Sequence, residues 1–290
     1  MPTCVVADGE VENGTLGDEL ALLQVSERPS GQPVATAYVP LLIVWVSDMA
    51  RALLAAIFDV DGVLVDSPHE HAWREALSGF AEPARFTTVF YQAYVAGKPR
   101  LEGARAALEG LGGVGAGARA AEYAAAKQTL IDKLIEEGSF EAFPDAVRFA
   151  AALHAAGLKL GLASSSRNVA AMLRQMYLPN GLALLSLFDA DLSGREVPRG
   201  KPDPTLFLLT AEALGVAPAR CVVVEDAPAG ILAARNAGMA ALGIARLGDE
   251  VLLREAGADL VVTNLDRIDL AALAGGILRL LPITEDAPDA

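Results

Sequence analysis

The sequence predicts an α/β fold: a parallel β-sheet covered by helices on both faces, with an α-helical cap domain inserted after the first strand. Three observations carry that reading. Apolar, strand-like runs recur at residues 52–58, 158–163, 221–224, 240–244 and 260–262. Helical patterns lie between most of them, at 144–156, 169–176, 204–214 and 229–236, and continuous apolar strands alternating with helices belong to a sheet buried on both sides. After Asp66 that rhythm breaks, and residues 67–143 show helical periodicity with no convincing strand.

The first strand, residues 52–58, ends in Asp59, Val60, Asp61 and Gly62. Segments 68–80, 87–95, 100–111 and 118–137 then read as cap helices, joined by a flexible glycine run at 112–117. No strand precedes that run, so it is not read as a nucleotide loop. Phe140 and Phe143 are expected to pack where the cap rejoins the core. Gly157, Gly215 and Gly238 follow core helices as C-caps and lead into the next strand. The core domain is thus assigned to 51–66 and 144–281, and the cap to 67–143. Residues 1–50 are expected to be a peripheral or disordered N-terminal extension, and 282–290 an acidic tail. Met49 stands just ahead of the first strand, and a chain begun there is expected to fold and function.

At 290 residues the chain can bury a full core. Its formal net charge of −14 argues against nucleic-acid or anionic-membrane partners. Residues 1–35 lack the basic-then-apolar order of a signal peptide, and the apolar stretch 36–47 is too short to span a bilayer. Its two cysteines, Cys4 and Cys221, form no disulfide framework or zinc pattern, which suits a reduced, cytoplasmic setting. Cys221 reads as a core residue, and a monomer is expected.

The chemistry-bearing residues fall at four strand ends or helix starts. Asp59 and Asp61, spaced i and i+2, point the same way at the end of a strand. Carboxylates that close need a cation or a shared proton, and oxygen ligands suit magnesium. Gly62 turns the chain where a side chain would crowd the site. Ser164-Ser165-Ser166-Arg167-Asn168 follows the second strand and offers hydroxyls and amides to phosphate oxygens. Lys201 comes from Gly-Lys-Pro-Asp-Pro at a helix start, and Glu225-Asp226 ends the 221–224 strand. Ligands of open α/β sheets bind beyond the carboxyl ends of strands, so these groups can converge. They would form a magnesium site from Asp59, Asp61, Glu225 and Asp226, with a lysine cation and a carboxylate nucleophile beside it. Elsewhere, His69 and His154 read as solvated helix residues, and His71, beside Trp73, as either packed or supporting.

These motifs resemble the haloacid dehalogenase superfamily, over about residues 52–275, and within it the β-phosphoglucomutase-like subgroup with a helical cap. The resemblance implies a Rossmann-like core, with Asp59 attacking phosphorus to form an aspartyl-phosphate and Asp61 acting as general acid and base. The subgroup's D-x-D-G-V-x-x-D-[ST]-x-x-x-H pattern reads as Asp59 to Asp66, Ser67 and His71. Its cap arginine matches Arg100, its cap lysine Lys127, and its Ser-Ala-Ser-Lys-Asn loop Ser164 to Asn168. Gly62, Ser67, His71, Arg100, Lys127 and residues 164–168 would bind substrate and its phosphates. Arg167 in place of lysine, Ala227 in place of serine, and the Gly97-Lys98-Pro99-Arg100 sequence depart from the pattern. The implied activity is magnesium-dependent phosphoryl transfer on a phosphorylated sugar. It is foremost conversion of β-glucose 1-phosphate to glucose 6-phosphate, with glucose 1,6-bisphosphate as activator. A sugar-phosphate phosphatase is the runner-up, and an inactive binding protein the remote alternative.

Overall fold

The computed structural model describes residues 52–113 and 115–282. Expectations about the leader, the 36–47 stretch, Met49 and most of the acidic tail fall outside them. In chain order the strands are β1 (Ala55–Phe58), β2 (Val65–Asp66), β3 (Glu141–Ala142), β4 (Lys159–Leu162), β5 (Ala190–Asp191), β6 (Cys221–Glu225), β7 (Ala240–Ile244) and β8 (Leu260–Val262). Six form one sheet in the order β5-β4-β1-β6-β7-β8, and all its pairings are parallel. The five anticipated strands are all present. Strand β5 was not anticipated, because two residues carry no periodicity.

The sheet's two faces show why the strands read as continuous apolar runs. Ala56 and Phe58 of β1 pack with Leu160, Leu162, Val222, Val224 and Phe149 on one side. Ala55 and Ile57 pack with Val223, Phe207 and Ile231 on the other. Helices α5 (Pro144–Ala155) and α6 (Val169–Leu173) contribute to the first layer, and α7 (Thr205–Leu214) and α8 (Pro228–Asn236) to the second. Helices α9 (Glu250–Glu255) and α10 (Leu270–Ala274) close the far end of the chain.

Beyond β1 the backbone turns sharply. Asp59 N–H donates to Val224 O, and Val60 O accepts from Leu64 and Val65. The chain then enters β2, which pairs antiparallel with β3, Val65 opposite Ala142 and Asp66 opposite Glu141. This ladder corrects the expectation of no strand before Pro144. The chain therefore leaves for the cap and returns from it at adjacent points.

The cap helices are α1 (His69–Glu75), α2 (Thr88–Tyr94), α3 (Arg100–Gly110) and α4 (Ala116–Glu136). They enclose an apolar cluster of their own, built on Trp73, Leu77, Phe86, Leu108 and Tyr123, and the Tyr123 hydroxyl donates to Trp73 O at 2.7 Å. Helix α4 belongs to both cores. Ala120, Tyr123 and Ala124 face the cap cluster, while Ile131 and Ile135 sit in the main one. None of the described helices is long and apolar enough to cross a membrane.

Where the cap rejoins the core, Phe140 and Phe143 pack against the main cluster. Asp145, in the first turn of α5, accepts from Arg246 at 2.9 and 3.0 Å and from Leu265 N–H at 2.9 Å. The Arg246 guanidinium lies 4.0 Å from the Phe143 ring centroid. These bonds hold the Asp145 carboxyl below its ordinary range despite burial, which acts the other way. Asp145→Ala would leave a largely buried guanidinium unpaired, and is expected to destabilise the protein by about 3 kcal/mol in urea unfolding.

Candidate active site

The carboxyl ends of β1, β4 and β6 open into a cavity of about 390 Å3 roofed by the cap. Beneath the Asp59 wall of that cavity the Lys201 ammonium is buried, 2.6 Å from Asp59 Oδ1 and 2.5 Å from Glu225 Oε1. Burial alone would lower its pKa. Asp59 and Glu225 outweigh that and hold it well above the ordinary lysine range. Glu225 does not line the cavity. Its Oε2 accepts Ala227 N–H at 2.9 Å, and it lies so close to α8 that a Cβ on Gly230 would fall 1.8 Å from Oε1. The structure thus turns Glu225 to Lys201 and leaves Asp226 to face the cavity.

Burial is the largest influence on the other carboxylates. It raises Asp59, aided by Asp61 and opposed by Lys201. It raises Asp226 strongly, aided by Glu225 and Asp59. Asp61 is raised as well, against hydrogen bonds from Ser67 and Ser164 and the Lys127 charge. Ser67 therefore serves Asp61, and Ser164 Oγ stands 3.4 Å from Asp61 Oδ2. Asp61 Oδ1 is buried and has no hydrogen-bond partner among the described residues.

Among the described residues no three carboxylate, histidine or cysteine side chains converge tightly enough to hold a metal unaided. Asp59 and Asp226 on one cavity wall, with Asp61 Oδ1 unpartnered, still suit magnesium. That ion takes one or two carboxylates and completes its octahedron with waters and phosphate oxygens.

The loop after β4 folds on its own hydroxyls: Ser164 Oγ accepts Ser166 N–H at 3.1 Å, and Ser166 Oγ accepts Asn168 N–H at 3.2 Å. Ser165 Oγ donates to Gly97 O of the cap at 3.0 Å. Pro99 lies over Gly200, where a Cβ would meet its Cδ at 2.0 Å. Arg167 lies at the cavity mouth, largely exposed and paired with Glu196.

From the cap, Arg100 opens α3 and donates to Gln128 Oε1. Lys127 is buried, its ammonium 5.1 Å from the Trp73 ring centroid. Burial and the Arg100 charge push its pKa down to about 8, against the pull of Asp61. Arg100, Lys127 and Gln128 line the same cavity as Asp59 and Asp61.

The histidines are exchanged relative to expectation. His69 is buried, with Nε2 3.1 Å from Ser166 Oγ and 3.6 Å from Asp61 Oδ1. Burial, Lys127 and Arg100 drive its pKa well below the usual value, so the ring is neutral. His71 is exposed and does not line the cavity. Helical geometry explains this: buried Trp73 shares a face with the residue four before it, not two. Tyr91 and Gln128 also line the cavity without having been singled out. Burial and the nearby Asp226 and Asp61 charges raise the Tyr91 phenol.

A model of the haloacid dehalogenase-like hydrolase family matches residues 53–238, and the chain belongs to that family. The β-phosphoglucomutase of Bacillus subtilis is 34% identical over 232 residues, covering 76% of this chain and 93% of that protein. Hexitol phosphatase A of Escherichia coli is 32% identical over 224 residues, covering 76% and 95%. The crystal structure of an archaeal β-phosphoglucomutase from Pyrococcus sp. strain ST 04 superposes with a TM-score of 0.61. Its identity is 32%, over 77% of this chain and 99% of that one. Relatives of both kinds mark the chain as an enzyme of the phosphomutase or phosphatase type.

Gly62 has φ +80°, and a Cβ there would lie 2.0 Å from Asp226 Oδ2. Gly62→Ala is therefore expected to lose about 1–2 kcal/mol from backbone strain alone. By displacing Asp226 it should also cost at least about tenfold in turnover. Parallel denaturant melts and rate measurements check both.

Proposed function

We propose that this enzyme transfers phosphoryl groups on a phosphorylated sugar with the help of magnesium, through an aspartyl-phosphate on Asp59, as a β-phosphoglucomutase-type isomerase. The observation that supports this best is that Arg100 and Lys127 of the cap line the same cavity as Asp59 and Asp61. A simple hydrolase needs cations only for the reacting phosphate, whereas an isomerase must also keep the second phosphate of a bisphosphorylated sugar while the sugar turns.

Lys201 occupies Asp59 Oδ1, so Oδ2 is the oxygen free to attack phosphorus in line. Asp59 and Asp226 would hold magnesium, which would supply positive charge to the phosphoryl oxygens. As the ester P–O bond breaks, Asp61 gives its proton to the departing sugar oxygen. Its raised pKa suits that task. His69, being neutral, does not lock Asp61 into an ion pair. In the second half-reaction Asp61 takes the proton of the other sugar hydroxyl, whose oxygen attacks the aspartyl-phosphate and releases Asp59 as carboxylate. Arg100, Lys127, Ser166 and Asn168 hold the non-reacting phosphate. The closed cap keeps water from competing with the sugar hydroxyl.

A second reading, a sugar-phosphate phosphatase, draws on the similarity to hexitol phosphatase A and on the Gly97-Lys98-Pro99-Arg100 sequence.

Asp59→Asn should lose several orders of magnitude in turnover while keeping its fold, as knocked-out nucleophiles do. A rate above a few per cent of wild type would place the nucleophile elsewhere.

Adding trace glucose 1,6-bisphosphate to β-glucose 1-phosphate should give glucose 6-phosphate much faster than free phosphate. Arg100→Ala should cost isomerisation about 2–4 kcal/mol, and hydrolysis of a small monophosphate far less. Phosphate release from many sugar phosphates without bisphosphate, untouched by Arg100→Ala, would instead establish the phosphatase.

Lys127 is a cation below its pKa of about 8 and is lost as a phosphate ligand as pH rises through it. KM for the sugar phosphate should accordingly climb by about tenfold per pH unit once the ammonium of the free enzyme has titrated. Lys127→Arg, which stays charged, should remove that climb from KM–pH profiles between pH 7 and 10.

A further inference from the structure

Gln128 takes no part in the steps above, yet it joins the two halves of the second anion site. It follows Lys127 on α4, and its Oε1 accepts from Arg100 of α3. Its Nε2 donates to Asp132 Oδ1 one turn on and, at 3.0 Å, to Asn168 Oδ1 of the core loop.

The polarity of this chain is forced. A guanidinium only donates and a carboxylate only accepts, so the Gln128 amide fits between Arg100 and Asp132 in one orientation. Asn168 is then left one choice: it gives Oδ1 to Gln128 and turns its two Nδ2 hydrogens away from it. Among the described residues no hydrogen bond engages Nδ2. Asn168 lines the cavity with Arg100, so both can offer donors there.

We propose that Gln128, oriented by Asp132, is a positioning residue that makes this subsite a pure donor surface for a second phosphate. It fixes the Arg100 guanidinium and the direction of the Asn168 amide. Because Gln128 belongs to the cap and Asn168 to the core loop, the donor surface is complete only when the two meet. The proposal deepens the bisphosphate reading and rests on it for the identity of the anion.

The test is a double-mutant cycle with Gln128→Glu and Asn168→Ala. Gln128→Glu keeps the size of the side chain and an acceptor for Arg100, but it accepts on the Asn168 side as well. The Asn168 amide must then turn round and present its oxygen to the anion. Relative to p-nitrophenyl phosphate hydrolysis by the same preparations, Gln128→Glu should lower kcat/KM for glucose 1,6-bisphosphate-dependent isomerisation by about 10–100-fold. In an Asn168→Ala background the same substitution should cost under about threefold, because the group it acts through is gone. Thermal melts identify any variant that fails through folding. Gln128→Met, which keeps neither link and adds no charge, then repeats the cycle.

Equal losses in both backgrounds would show plain charge repulsion or packing, and would overturn the relay. The cycle is also run on glucose 6-phosphate hydrolysis. Should wild type ignore the bisphosphate while coupling persists on the monophosphate, the relay stands and the bisphosphate reading falls. Turnover of bisphosphate without coupling does the reverse. Failure of both rejects both.

Discussion

The site is organised around a buried ammonium held between two carboxylates. Lys201 has Asp59 on one side and Glu225 on the other, and none of the three would tolerate burial alone. Each comes from a different part of the chain: the end of β1, the segment before α7 and the end of β6. The requirement that their charges meet therefore fixes how β1, β6 and α7 sit together. It also differentiates the two oxygens of Asp59, because the lysine engages Oδ1. Glu225 is what keeps the ammonium in place, packed so tightly under Gly230 that no side chain fits there.

A second constraint acts around the first. Besides apolar packing, the cap meets the core through polar contacts at the loop of residues 164–168. Ser165 holds Gly97, Ser166 approaches His69, and Asn168 meets Gln128. Each is a hydrogen bond between groups that water would otherwise serve, so each is individually weak. These polar contacts act beside the apolar anchorage that helix α4 gives the cap through Ile131 and Ile135.

Much of this was legible in the sequence, and the physical reasons separate what was from what was not. The five longer strands stand out because a sheet covered on both faces needs unbroken apolar runs. Asp59, Asp61, Lys201 and Glu225-Asp226 stand out because they interrupt or follow those runs. The β2–β3 ladder and β5 are two residues long and carry no period to read. His69, considered alone, reads as a solvated residue, although Trp73 four residues on marks its helical face. Arg100 and Lys127 came only through the family resemblance, since a lone cation on a helix looks like any surface charge. Gln128 could not have been found, because its role lies in the polarity of three partners, two of them distant in sequence.

Helix α4 sets the mechanical character of the molecule. Its first turns are cemented into the cap and its last into the body of the protein, so it acts as a shaft shared by two bearings. A cap that swung completely free would have to draw Ile131 and Ile135 out of the main core. That costs about 3–6 kcal/mol for the two side chains, a population between about one molecule in two hundred and one in twenty-five thousand. A small rotation about the middle of the shaft, near the half-buried Leu130 that touches both clusters, leaves both isoleucines seated. The shared helix thereby limits cap displacement to rotations that keep Ile131 and Ile135 in the main core and Ala120 and Tyr123 in the cap.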